Sequence, residues 1–107
     1  MTWTVEILNA EVCAELDALP RDIRAKFAHI VRLIDAFGLE QVHEPYIKHL
    51  EGRLWEMRMK GRDGIARAIY VTAHERRVVV VRAFRKKTQK TPRREIALAL
   101  KRAEELT

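Results

Sequence analysis

Three strand-like segments follow one another with almost nothing between them, and this limits the folds open to the chain more than any other feature. Residues 54–60, 65–72 and 76–85 each carry alternating apolar side chains or an unbroken β-branched run such as Val78-Val79-Val80-Val81. The first two are separated by Gly61-Arg62-Asp63-Gly64 and the last two by a turn around His74-Glu75. Links this short join antiparallel neighbours, so the three segments predict a meander.

The rest of the chain supplies what such a sheet needs to bury a face. Trp3, Val5 and Ile7 alternate with Thr4 and Glu6, which predicts a further strand over residues 2–8. Asn9 is placed to cap a helix over residues 10–19, with Val12, Leu16 and Leu19 on one side and Pro20 at its end. Ile23, Phe27, Ile30, Val31, Ile34 and Phe37 recur at helical spacing before Gly38, a second helix that forms a hairpin with the first. Residues 39–52, broken by Pro45, read as a connecting stretch in which Tyr46, Ile47 and Leu50 can pack. Thr91 and Pro92 read as N-cap and first residue of a last helix carrying Ile96, Leu100, Ala103 and Leu106. The expectation is an α+β fold spanning residues 1–107 as one domain: N-terminal strand and helical hairpin, three antiparallel strands, C-terminal helix. The helices should lie mainly on one face of a twisted antiparallel sheet.

A composition of 48% hydrophobic and 34% charged residues, with four Gly and three Pro, suits a folded core and argues against low complexity. No basic stretch followed by an apolar run opens the chain, and no run of about 18 apolar residues occurs, so the expectation is a cytoplasmic protein with no membrane partner. The lone Cys13 can form no internal disulfide and is expected in the core of the first helix.

Charge is distributed unevenly. Residues 1–50 hold five Lys/Arg against eight Asp/Glu, whereas residues 51–107 hold sixteen against seven. From Arg82 to Arg94 every charged side chain is positive: Arg82, Arg85, Lys86, Lys87, Lys90, Arg93 and Arg94. A single-sign run beside an apolar strand points to a polyanionic partner, because clustered cations gain from displacing the counterions of a phosphate backbone.

Alternation on the 54–60 segment places Trp55, Met57 and Met59 on a core face and Glu56, Arg58 and Lys60 on an exposed one. Arg67, between Ala66 and Ala68, interrupts an apolar strand with a side chain expected to project over the sheet. His29, His43, His49 and His74 are scattered without the spacing of a metal motif, and neither a P-loop nor a nucleophile elbow is present, so no cofactor and no metal are expected.

Leu54-Trp55-Glu56-Met57-Arg58, then Arg67 before Ile69-Tyr70, then the valine strand running into Phe84-Arg85-Lys86-Lys87-Thr88-Gln89-Lys90-Thr91-Pro92 resemble the phage-related HigB branch of the RelE/ParE toxin superfamily. The resemblance implies a type II toxin that cuts messenger RNA in the ribosomal A site, without a metal, and that is neutralised by a helix-turn-helix antitoxin encoded next to it. It implies attack of a ribose 2′-hydroxyl on the adjacent phosphodiester. Arg67 would stabilise the phosphate, with Glu56 as base, Arg58 as a second phosphate contact and Lys86 and Lys87 as the C-terminal cations. Arg82, Arg85, Lys90, Arg93 and Arg94 would bind RNA. Residues 86–94 hold neither Tyr nor His, where some relatives carry an acid or base, so the proton donor to the leaving oxygen stays unassigned. Two other functions remain open on the same residues: a gyrase inhibitor like the ParE proteins, and an inactive nucleic-acid-binding relative.

Overall fold

A computed structural model describes residues 2–87 and 90–106, so Thr88 and Gln89 of the basic run lie outside the described residues. The order is β1 (Thr4–Ile7), α1 (Ala10–Asp17), α2 (Arg21–Phe37), a 3-10 turn at Leu39–Gln41, β2 (Ile47–Glu51), β3 (Leu54–Gly61), β4 (Gly64–Ala73), β5 (Arg77–Lys86) and α3 (Arg93–Ala103). The strands form one sheet in the order β1-β5-β4-β3-β2. The meander β3-β4-β5 is antiparallel as its short turns require. β1 instead pairs in parallel with β5, because the chain leaves β1 at one edge, crosses a whole face through α1 and α2, and returns at the other edge as β2. The sheet is therefore mixed, which corrects the expectation of a purely antiparallel one.

Two further expectations fail for identifiable reasons. Ile47–Glu51 is a strand although Pro45 precedes it; only Ile47 of its five residues is buried, so its pattern is too weak to stand out. The helices also occupy both faces. α1 and α2 bring Val12, Leu16, Ile23, Ile30 and Ile34 against Met57, Met59, Ala68, Val78 and Val80. α3 brings Ile96, Ala99 and Ala103 against Leu54, Ile69, Val79, Val81 and Phe84 on the opposite face. A run of four valines follows directly, since a strand covered on both sides has no polar alternate positions.

β5 does not keep one alternation throughout. Tyr70 pairs with Val80 but Ile69 pairs with Arg82, so Val81 is an extra residue, a β-bulge. Val79 and Val81 both join the α3-side core, yet past the bulge it is Phe84 that joins it, while Ala83 packs in the other. The bulge thus turns Arg82, Phe84 and Lys86 toward the α3 side in place of Ala83 and Arg85.

Beyond Val80, β5 has outrun the short β1 and presents an unpaired edge. Side chains satisfy it. Glu15 of α1 accepts a hydrogen bond from the Ala83 amide at 3.2 Å, and Arg102 of α3 donates to the Val81 carbonyl at 3.0 Å. Arg102 also pairs with Glu15 at 2.8 Å, and Arg82 reaches Glu15 at 2.8 Å and Glu95 at 2.7 Å. One network of charges therefore ties both helical layers to the sheet edge.

Local signals behave more simply. Asn9 caps α1, its Oδ1 accepting from the Val12 amide at 3.0 Å. At Gly61 a Cβ would stand 2.6 Å from Ile23 and 2.7 Å from Asp22, so only glycine lets the end of β3 approach the start of α2 this closely. Asp22 fixes that approach by accepting from the Arg62 amide at 2.6 Å. Cys13, expected in the core, is exposed, since the buried stripe of α1 runs through Val12 and Leu16. Among the described residues no helix is long and apolar enough to cross a membrane.

Desolvation pushes the Glu15 carboxyl up, but the Arg102 and Ala83 hydrogen bonds and the charges of Arg82 and Arg102 together outweigh it and hold it below its ordinary value. A lowered folded-state value stabilises the protein above the unfolded carboxyl range and is lost as pH falls through the folded value. Glu15→Gln should accordingly lower stability by about 2–3 kcal/mol at neutral pH, the scale of hydrogen bonds to a charged group. Urea unfolding across the acid range checks this: the loss relative to wild type should shrink as pH falls, and a constant difference would exclude Glu15 as its source.

Candidate functional site

The apolar contacts of α3 end against Phe84, and the next rows of that sheet face are charged. Arg58 of β3 sits opposite Arg67 of β4, and Arg67 opposite Phe84 of β5. Lys86 follows two residues later on β5, and Lys48 of β2 sits opposite Glu56 of β3. Strand alternation and the Val81 bulge therefore gather four cations, Lys48, Arg58, Arg67 and Lys86, around one carboxylate.

This cluster is not the open charged surface the sequence suggested. Glu56 and Arg67 are each only 4% exposed and Lys86 only 6%. The expected exposed face is buried because the end of the chain folds over it: Thr91, rather than capping α3, donates its hydroxyl to Glu56 Oε2 at 2.9 Å. The N-cap position of α3 is Pro92. Glu56 Oε1 lies 3.3 Å from Arg67 Nε and 3.9 Å from Arg58 Nε. Ala66 and Ala68 do not free Arg67, as their side chains point into the other core. Arg67 Nη1 donates to the Ala66 carbonyl at 3.2 Å, while its buried Nε makes the ion-pair approach to Glu56 without the alignment of a hydrogen bond.

The electrostatics favour an added anion. Burial, first, and the charge of Arg58 hold the Arg67 guanidinium below its ordinary value against the opposing pull of Glu56. Burial, then the charges of Arg67, Arg58 and Lys48, likewise hold the Lys86 ammonium below the lysine norm, with Glu56 opposing. Positive charge thus exceeds negative in a region largely withdrawn from water, where Coulombic interactions are strong.

Access comes from the side of β3. β2 stops pairing at Met57, and the next β3 amide, Arg58, donates to the Tyr46 carbonyl at 2.8 Å. Past that point a cleft of about 540 Å³ opens, lined by Lys26, Tyr46, Arg58, Lys60 and Arg67 among others. Its size lies within the range of small-ligand sites. Lys26, Tyr46 and Lys48 were missed in the sequence, since each lies on a segment that looked like plain surface or connection.

The remaining expected site residues scatter. Arg82 is held by Glu15 and Glu95 and lies 5.7 Å from the Phe84 ring centroid, an anchor for α3. Arg85 faces the other way and donates to the Asp63 carbonyl at 3.2 Å. Arg93 pairs with Glu51 at 2.6 Å on the surface. Lys87, Lys90 and Arg94 are exposed. Trp55 shares the side of Met57 and Met59 but is 40% exposed beyond the core, packed edge-on against His49 with ring centroids 4.9 Å apart. Among the described residues no three His, Cys, Asp or Glu side chains converge in a way that could hold a metal ion.

Glu56 is what makes the four neighbouring cations tolerable. Glu56→Gln should destabilise the fold by about 3 kcal/mol, the scale of leaving a buried charge unpaired. Adding Arg67→Met to it should restore part of the loss, and chemical denaturation of the two variants tests this; a double variant less stable than Glu56→Gln would show that the pair is not the source.

Comparison with known proteins agrees with this architecture. Residues 14–104 match the family described as Phage derived protein Gp49-like (DUF891). No curated protein matches the sequence. Solved structures share the fold, among them two of RelE toxins. The RelE–RelB complex of the archaeon Pyrococcus horikoshii OT3 is 21% identical with a TM-score of 0.56, covering 79% of this chain and 96% of that one. A double arginine-to-alanine mutant of E. coli toxin RelE in the free state is 12% identical with a TM-score of 0.63, covering 95% and 98%. The sheet sandwiched between an N-terminal helix pair and a C-terminal helix is the fold of these RelE toxins, and the match over residues 14–104 establishes that this protein belongs to the Gp49-like phage-derived family.

Proposed function

We propose that this protein is the toxin of a type II toxin-antitoxin pair and acts as a metal-independent endoribonuclease of the HigB-like kind, cutting messenger RNA on the ribosome in the cytoplasm. The observation that carries the reading is the surplus of cations, Lys48, Arg58, Arg67 and Lys86, around Glu56, two of which, Arg58 and Arg67, line a cleft wide enough for a nucleotide. The archaeal relative was solved as a RelE–RelB complex, which supports a dedicated antitoxin partner here, and we assign that role to a helix-turn-helix protein encoded alongside.

Strand scission by a neighbouring 2′-hydroxyl places an added negative charge on the phosphorane and on the departing 5′-oxygen. Arg58 and Arg67, which line the cleft, supply the counter-charge, and a guanidinium can give two parallel hydrogen bonds to phosphoryl oxygens. Because the protein brings its own fixed cations to the reacting phosphate, it needs no metal for that task. Glu56, first considered as a base, has Oε1 facing two arginines and Oε2 taken by Thr91, so we give it the role of holding the arginines in place. Lys86 is then the proton donor: the 2′-oxygen bonds to phosphorus, the bond to the 5′-oxygen breaks, Lys86 protonates that oxygen, and the 2′-hydroxyl proton leaves to water. A lysine held below its usual value by burial and Arg67 gives up its proton more readily than a free one.

Three measurements test this reading. Arg67→Ala should lose on the order of 100-fold or more in ribosome-programmed cleavage, about 3 kcal/mol, with Arg67→Lys recovering part of it. Pulse labelling on expression should show early loss of methionine incorporation; early loss of thymidine incorporation would instead indicate a gyrase inhibitor, and unimpaired growth an inactive relative. For Lys86, an acid must be protonated to act, so the cleavage rate should fall as pH rises through its lowered value. Lys86→Arg, which keeps the charge but holds its proton, should cleave slowly and lose that alkaline limb, and an unchanged pH profile would remove Lys86 from proton transfer.

A further inference from the structure

We infer that Tyr46 is a stacking platform for one unpaired nucleobase of the bound strand, a binding residue that lies outside every motif of the family resemblance. The inference rests on the reading of the site as an RNA site and adds how the strand is held there. Tyr46 lines the same cleft as Arg58 and Arg67, so an aromatic face and phosphate-binding guanidinium groups open into one space.

The backbone of Tyr46 is held by two hydrogen bonds and its ring by one aromatic neighbour. Its backbone carbonyl accepts from the Arg58 amide at 2.8 Å, and its amide donates to the His43 carbonyl at 3.0 Å. From α2, His29 packs edge-on against the ring, with centroids 5.7 Å apart and planes at 67°. That T-shaped contact and the packing of half-buried Tyr46 against the α2-side core hold the ring in place, and the part of the residue that lines the cleft is what a base would stack on. The Arg58 amide bond makes Tyr46 the first residue beyond the end of β2 pairing, tying the platform directly to a residue that also lines the phosphate site. Lys26 of α2 and Lys60 of β3 line the same cleft, cations suited to the phosphates flanking the base. An aromatic ring set among cations along an open groove is the general recipe for gripping single-stranded nucleic acid, and stacking is tolerant of base identity because every base has a π face.

The test uses equilibrium binding of the purified protein to a short single-stranded oligoribonucleotide, read by fluorescence anisotropy at low salt. A matched set of oligonucleotides, each with one abasic position, is measured alongside. Tyr46→Phe should bind like wild type and Tyr46→Ala about 10- to 100-fold more weakly, the range expected for loss of one stacked base. One abasic position should weaken wild type by a similar factor and leave Tyr46→Ala unaffected. That arm relies on wild-type protein, so a folding defect in the variant cannot mimic it. The inference is overturned if no abasic position weakens wild-type binding, if Tyr46→Ala binds normally, or if Tyr46→Phe is as weak as Tyr46→Ala, which would assign the effect to the phenol oxygen. Wild-type protein with no salt-dependent affinity for RNA would overturn the proposed function itself, and this inference with it.

Discussion

The single extra residue at Val81 sets what the two faces of this sheet contain. β5 is the strand on which everything else is assembled: β1 pairs with one side, β4 with the other, and both helical layers pack on its faces. Up to Val81 its alternation serves two apolar cores. One residue later the phase has changed, so Arg82 meets Glu95 of α3 and Lys86 joins the row of Arg67. With unbroken alternation, Ala83 and Arg85 would take those positions: α3 would lose its ionic anchor, and Lys86 would face the α2 side. A local irregularity of the ladder thus couples the docking of a helix to the composition of the charged site.

Charge in this molecule divides into two systems with different physics. At the β5 edge, Glu11, Glu15 and Glu95 are matched with Arg82 and Arg102, and nearly every donor has an acceptor. Around Glu56 the count is deliberately uneven, with several cations sharing one carboxylate and one buried arginine nitrogen lacking a hydrogen bond. Natural interiors seldom leave such a donor unsatisfied, because the lost solvation is not returned. The balanced network holds the fold together, and the unbalanced one stores an unmet demand for negative charge.

Most of the scaffold could be read directly from residues. Short turns forced the β3-β4-β5 meander, Asn9 announced α1, and the apolar period from Ile23 to Ile34 announced α2, since these depend on neighbours in sequence. What could not be read depends on partners distant in sequence. The parallel pairing of β1 follows from where the helices return the chain, and the burial of Glu56 follows from Thr91, 35 residues away. The strand pattern correctly put Glu56 and Arg58 on one side of β3, and Arg67 was recognised as the odd residue of its strand. The same pattern could not tell that α3 would cover the neighbouring rows, nor that a bulge would choose Lys86 over Arg85. The basic run looked uniform in sequence, yet Arg82 and Arg93 are bound by carboxylates from Glu15, Glu95 and Glu51, which lie on other elements.

The way the outer edge of β5 is closed bears on how the protein behaves in a crowded solution. A free strand edge is a template on which other chains can add, and a short β1 leaves several residues of β5 in that condition. Glu15 and Arg102 occupy its outward amide and carbonyl, so no hydrogen-bonding positions are left there for an incoming strand at Val81 and Ala83. Because this seal consists of two side chains rather than a strand, one substitution or acid can break it. Its loss then exposes the architecture to self-association along β5 as well as to the loss of stability that the same carboxylate supplies.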